Sequence, residues 1–387
     1  VHLKGIPAVI KHHSLDPSSS ALPTVFEEEH NVSLGESFTK IAMRAALQAA
    51  FRGIQPDNRE EFTSCPSARR LRRLYYTAND GWRAPVYYLP VLPKGGGEPV
   101  IIAHGLGVNH NTLQFDRETS LAWTLQKAGY AVYLISYRCD SGAIRPAKGE
   151  GDYDFDDIAH KDIPAAVNAV LQHSSFSKVM WIGHGLGGQL LYAHLANEGA
   201  CSISAATAIC SPTLFSEQSS AARARSLALR LIPQNLTLPI SQLATLAAPA
   251  LRMHREMKRV DGPKARGVLV YGTEDINSGL LRQVNRWINT GFLSNRNGTV
   301  DIVEGMANTE IPLQIIYTTE EEVKGATRPL DLIKGPAETI KLGASWGKFD
   351  PLLGTDAHRV VHPRILDWIN RHRLETWGNT RVNVVGT

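Results

Sequence analysis

The pattern of apolar and polar positions changes character near residue 72. Before it, residues 1–70 mix Pro- and Ser-containing loops with a helix-like stretch at Ser37–Phe51, which reads as an N-terminal extension. Beyond it, β-rich runs alternate with helical ones. Leu74–Ala78 and Ala84–Leu89 flank Asn79-Asp80-Gly81, the signature of a hairpin. Pro99–Ala103 is a continuous apolar run of the kind buried on both faces of a sheet. A helix at 118–128, a strand at Tyr130–Tyr137 and a long helix at Phe155–Gln172 follow. Then come a strand at Lys178–Ile182, a helix from Gly187 and a strand at Ile203–Ile209. Alternating strands and helices imply right-handed crossovers and a mostly parallel sheet, an α/β class fold.

That rhythm lapses over 211–305, where helical stretches such as Ala221–Leu231 and Leu280–Thr290 suggest a cap over the sheet. It resumes at Ile311–Tyr317 and closes with a helix at His362–Leu374. The expected organisation is an extension (1–70), a first core part (71–210), a helical cap (211–305) and a second core part (306–387).

Composition narrows the classes. A net charge of +4 over 387 residues is small, and the cluster Arg69, Arg70, Arg72, Arg73 reads as a solvated face rather than a nucleic-acid site. No apolar run is long enough to span a bilayer. Cys65, Cys139, Cys201 and Cys210 show no zinc spacing or dense disulfide framework, which suggests a reducing, cytoplasmic setting. The sequons at Asn31, Asn235 and Asn297 are as frequent as chance provides. No two histidines share helical i, i+4 spacing with an acid, and His12-His13 would point apart on any regular element, so no metal or cofactor is expected.

The strongest chemical signal is Gly183-His184-Gly185-Leu186-Gly187-Gly188, between a predicted strand and a predicted helix. A G-x-S-x-G elbow needs that context, because small flanking residues allow the sharp turn that exposes its central side chain. The stretch resembles the G-H-S-L-G-G elbow of the α/β-hydrolase superfamily, with Gly185 where the serine belongs. His104-Gly105-Leu106-Gly107 is similar to that family's oxyanion loop. Tyr137-Arg138 followed by Asp154-Phe155-Asp156-Asp157-Ile158-Ala159 looks like its lipase-related branch. The resemblance runs from about residue 72 to 370. It implies an oxyanion pocket of backbone N–H groups from the loop His104–Gly107 and from Leu186.

The family's acid follows a late strand, and its histidine comes before the last helix. The resemblance therefore puts the acid at Glu321, with Asp275 as second choice, and the histidine slot at Lys348 in Trp346-Gly347-Lys348-Phe349-Asp350. His358 and His362 are weaker stand-ins. Glycine supplies no nucleophile, and a lysine beside a glutamate is held protonated, so an acyl-enzyme on this set is excluded. A Lys348–Glu321 ion pair filling the lost triad is the plain expectation. Asn109, His110 and His184 are polar side chains near the oxyanion loop or elbow that could bind or protonate a substrate. His184 reads more readily as structural, and Asn109 and His110 as loop hydrogen-bonders.

Three functions follow. The first is a repurposed enzyme carrying out a non-hydrolytic step on a hydrophobic carbonyl compound. The second is a noncatalytic binder of a hydrophobic ligand or protein partner. The third is an ester hydrolase using water activated by His110 or His184. Ordinary serine esterase activity is not expected. Cap residues Leu227, Leu229, Leu231, Ile232, Leu236 and Leu238 hint at an apolar ligand, and cap packing explains them equally well. Oligomeric state is not legible.

Overall fold

The computed structural model describes residues 71–91, 97–147, 152–215, 236–238, 256–307, 309–318 and 323–373. The expected extension 1–70, the helix 221–231, most of the cap leucines and Glu321 lie outside the described residues.

Eight strands form one sheet in the order β1-β2-β4-β3-β5-β6-β9-β10. The hairpin of β1 (Arg72–Thr77) and β2 (Arg83–Leu89) pairs antiparallel with β4. Strands β3 (Pro99–Ala103), β4 (Ala131–Ile135), β5 (Val179–His184), β6 (Ile203–Ile209), β9 (Leu313–Tyr317) and β10 (Ala337–Lys341) run parallel. The short β7 (Thr237–Leu238) and β8 (Ile276–Asn277) pair separately.

Alternation along the inner strands divides the core in two. Ile101, Tyr133, Ile135 and Trp181 point into one apolar layer, while Val100, Ile102, Val132, Leu134, Met180 and Ile182 point into the other. With helices on both faces, these strands have no polar side, which is why they read as unbroken apolar runs.

The helices used below are α1 (Asn111–Gln114), α2 (Leu121–Lys127), α3 (Phe155–Asp157), α4 (Ile163–Ser174), α5 (Leu186–Glu198), α6 (Gly262–Tyr271), α7 (Ser278–Thr290), α8 (Val323–Leu332), α9 (Asp350–Leu353), α10 (Ala357–Val360) and α11 (His362–Arg371). Two expectations shift. The helix expected from 118 begins at Leu121, because the Asp116 carboxylate accepts from the backbone N–H of Glu118 and Thr119 and holds a turn there. The long helix from Phe155 is interrupted by a π-turn at Ile158–Asp162.

That π-turn carries the buried Asp162, whose oxygens accept from Arg138 Nε at 3.0 Å and Nη2 at 2.6 Å and from the Arg138 backbone N–H at 3.0 Å. Arg138 also reaches Asp80 of the β1–β2 turn at 2.8 Å and lies over the Trp82 ring. One guanidinium thus ties the hairpin, the end of β4 and the helix pair together. Replacing Asp162 by Ala leaves that buried cation with only the half-buried Asp80 of these two carboxylates. The expected loss is about 3–5 kcal/mol, read as a lower urea midpoint; a loss under 1 kcal/mol would count against this role.

Candidate active site

Strand β5 ends at His184 and α5 starts at Leu186, so the whole reversal falls on Gly185, with φ +52° and ψ −114°. The geometry is that of a strand–elbow–helix. The Gly185 N–H donates to Ile209 O at 2.9 Å, and its carbonyl accepts from Gly188 and Gln189 at 3.1 and 3.2 Å. The first turn of α5 lies directly on the strand ends. A Cβ on Gly187 would collide with the Ala103 carbonyl, and one on Gly188 with the Ser211 hydroxyl. Gly185 differs: a Cβ there meets Gly105 Cα at 3.6 Å and Cys210 O at 4.0 Å, both ordinary contacts. Space therefore exists for a side chain at the apex, and only the positive φ favours glycine.

The loop after β3 lies against this apex. His104 is buried, its Nδ1 lies 2.9 Å from Gly105 O, and its carbonyl accepts from Tyr137 Oη at 3.0 Å. Leu186 opens α5, so its backbone N–H is one of the four that a helix leaves without an internal partner. Gly105 thus lies beside the apex that Leu186 follows.

Lys348 falls on the loop between β10 and α9, and its carbonyl lies 3.0 Å from His184 Nε2. Buried Asp350 secures this loop by accepting from the backbone N–H of Gly347, Lys258 and Arg259 at 2.6–3.1 Å. The Lys348 backbone therefore lies beside the elbow histidine, whereas its suggested partner Glu321 lies outside the described residues. Thr318, at the end of β9, is buried, and its hydroxyl sits 3.9 Å from Cys210 Sγ.

The histidines separate by environment. Burial, against weaker backbone hydrogen bonds, pushes His104 and His184 down to about 4. His362 is pushed to about 3 by burial; its ring nitrogens lie 3.2 Å from Pro351 O and 3.4 Å from Thr124 Oγ1, binding α11 to α2 and α9. All three are neutral near pH 7. His358, in α10, is half-buried and lies near His362. His110 is mostly buried, with Nδ1 3.9 Å from Asp140 Oδ2 and its ring stacked on Tyr87 at 3.6 Å between centroids. Asn109 is engaged with backbone: its Nδ2 donates to Tyr271 O and Thr273 O, and its Oδ1 accepts from Asn111 N. It clamps the oxyanion loop to the segment after α6.

That segment holds a residue the sequence reading passed over. Glu274 is buried, and its N–H donates to Gly107 O at 2.9 Å. Burial, then the charges of Asp140 and Asp275, raise its carboxyl to about 8. Asp140 and Glu274 escaped notice because neither belongs to a local motif. The one usable signal was that Asp140 follows the carboxyl end of β4, where open α/β sheets bind ligands. The favoured alternative acid, Asp275, is half-buried next to Glu274.

A family model described as the alpha/beta hydrolase family matches residues 100–292. A protein named as a probable lipase from Schizosaccharomyces pombe is 29% identical over 106 residues, 25% of this chain and 23% of that protein. Rat (Rattus norvegicus) gastric triacylglycerol lipase is 29% identical over 120 residues, 28% of this chain and 30% of the lipase. The chain thus spans less than a third of either lipase. The solved α/β hydrolase GrgF from Penicillium sp. sh18 superposes with TM-score 0.53 at 16% identity, covering 78% of this chain and 98% of that one. The chain has the α/β-hydrolase fold. Its sheet order, elbow and oxyanion-type loop fall where an α/β hydrolase carries its site.

Among the described residues, no group of three or more His, Cys, Asp and Glu side chains is placed to hold a metal, and no helix is long and apolar enough to cross a membrane. A polar cleft of about 280 Å³ lies between α3 and α7 and shares no residue with the elbow. Its Arg282 and Arg296 are paired with Asp152, Asp154 and Asp157.

Two outcomes follow. Gly187→Ala is expected to cost about 3 kcal/mol or more, through overpacking against the Ala103 carbonyl. Gly185→Ala is expected to cost only about 1–2 kcal/mol of backbone strain. Equal losses in denaturant unfolding would contradict the elbow geometry. The three depressed histidines make stability full above the unfolded value of 6.5. It falls as pH drops from there toward 4, since the unfolded chain takes up protons that the folded chain refuses. A urea midpoint that stays flat from pH 7 to 4.5 would refute this.

Proposed function

We propose that this α/β hydrolase lacks a serine triad and carries out a non-hydrolytic, proton-transfer type of step on a hydrophobic carbonyl-containing small molecule. The observation that carries the reading is Gly185, which holds the elbow apex with an elbow backbone and no side chain to attack a carbonyl. On this reading, Lys348 stands in the histidine slot, Glu321 in the acid slot, and segment 211–305 is the cap. The backbone N–H of Leu186 and those of the loop Gly105–Leu106 would hold a carbonyl oxygen, a task that needs no side chain and survives the loss of serine. Lys348 would contribute charge near the elbow rather than act as a base. The neutral His104 and His184 support these loops.

A second reading, ester cleavage by an activated water, is favoured by the lipase relatives and by the His110–Asp140 pair. Mere binding of a hydrophobic ligand or a protein partner remains the third.

A fluorophosphonate probe separates them from ordinary hydrolysis. The unaltered chain is expected to form no adduct, whereas the double variant Gly185→Ser, Lys348→His is expected to gain one along with weak esterase activity. An adduct on the unaltered chain, or none on the double variant while it stays folded, overturns the assignment. Ester turnover that persists without labelling would select the second reading.

A further inference from the structure

We infer that His110, Asp140 and Glu274 form a proton-transfer array beside the oxyanion-type loop, with His110 taking a proton and Glu274 giving one to an enolisable carbonyl compound. This deepens the proposed function and rests on it.

The three side chains come from three different segments. His110 precedes α1, Asp140 lies five residues past β4, and Glu274 follows α6. Asp140 is almost wholly buried and also accepts from the Gly142 N–H at 2.7 Å. Burial raises its carboxyl, but His110, Ser136 and that N–H outweigh burial and hold it below the ordinary value. It is therefore an anion facing His110 Nδ1. The 3.9 Å separation is ion-pair reach rather than a formed hydrogen bond, and such contacts tighten when substrate arrives. An anion on that side favours the proton on Nδ1 and leaves the Nε2 lone pair for a substrate. Tyr87 stacks on the ring and fixes its plane.

Glu274 supplies the complementary state. Asp140 and Asp275 act on it as like charges, Tyr87, Cys139 and Tyr153 lie within its electrostatic reach, and the Asn109 amide and the Asp275 N–H only partly offset them. Burial amid like charge keeps it a neutral acid near pH 7, next to a carboxylate that stays ionised. Two titratable groups pushed apart by their surroundings are how one site holds an acid and a base together. The array also adjoins an unfilled polar position. His104 is 1% exposed, its Nε2 has no hydrogen-bond partner, and both Asp140 and His110 act on it electrostatically. A buried nitrogen left open at this point marks where a ligand's polar group or a water would sit.

The step balances without an oxidant or co-reactant. Nε2 of His110 takes the proton from the carbon next to the carbonyl, and the C–H electron pair becomes the C=C bond. The carbonyl π pair moves onto oxygen, which takes the Glu274 proton. The imidazolium formed then faces two carboxylates, so the net charge of the array is unchanged. Reversal with proton return to either carbon gives exchange or isomerisation. Asp140 is a positioning residue, and His110 and Glu274 touch the substrate.

The test uses the full chain. With glutamate labelled at its carboxyl carbon, the Glu274 resonance is assigned by its absence in Glu274→Gln. Its NMR titration is expected to centre near pH 8 and to move down in Asp140→Asn, which removes the like charge. A midpoint in the ordinary carboxyl range, or one unmoved by Asp140→Asn, overturns the array. Acetophenone in D₂O then reads the chemistry through exchange of its methyl protons. The chain is expected to accelerate exchange, His110→Asn to lose about a hundredfold, and Glu274→Gln to lose the decline above pH 8. Exchange at the buffer rate, or exchange indifferent to His110→Asn, overturns it. Failure here with no phosphonate adduct leaves the reading of Gly185 standing; an adduct with the Glu274 titration intact removes that reading alone.

Discussion

The site depends on one close approach that only glycine permits. The first turn of α5 rests on the carboxyl ends of β3 and β6 at backbone distance, and Gly187 and Gly188 permit it because any Cβ would strike Ala103 O or the Ser211 hydroxyl. This approach forces the chain to reverse within Gly185. It also sets Gly105 against the apex. A pocket built from backbone in this way is insensitive to which side chain, if any, occupies the apex.

Around that contact, charge is sorted by burial. The imidazoles of His104, His184 and His362 are deep enough to stay neutral, so they act as hydrogen-bonding struts. Arg138 is buried too but stays charged, because Asp162 and Asp80 surround it, and it locks the hairpin to the helices behind β4. Asp140 and Glu274 are both buried near the oxyanion-type loop, yet Asp140 has His110, Ser136 and the Gly142 N–H beside it, whereas Glu274 faces the charges of Asp140 and Asp275. Their different protonation states come from neighbours, not from residue type.

The legible part of the fold was the part written in local pattern. Pro99–Ala103 and Ile203–Ile209 are strands with the stated bounds; the first is apolar throughout because both sheet faces bury it, and the second satisfies its buried Thr207 through Gln314 Oε1. The elbow was legible because its glycines answer a steric demand within six consecutive residues. Two boundaries were not. The turn at Asp116 is held by its carboxylate and the π-turn ends on Asp162, which meets Arg138, and an aspartate in sequence does not announce which donor it will meet.

By itself the sequence determined the α/β class, the elbow with glycine at its apex, and the loop that faces it, all of which follow from spacing within a single segment. Only the tertiary structure decided that Lys348 lies against His184 and that Asn109 is tied up by backbone carbonyls. It also decided that His110, Asp140 and Glu274, spread over 165 residues of chain numbering, share one environment. Periodicity and motif spacing are local quantities. Ionisation and partnership depend on the dielectric and the charges that packing brings within a few ångströms.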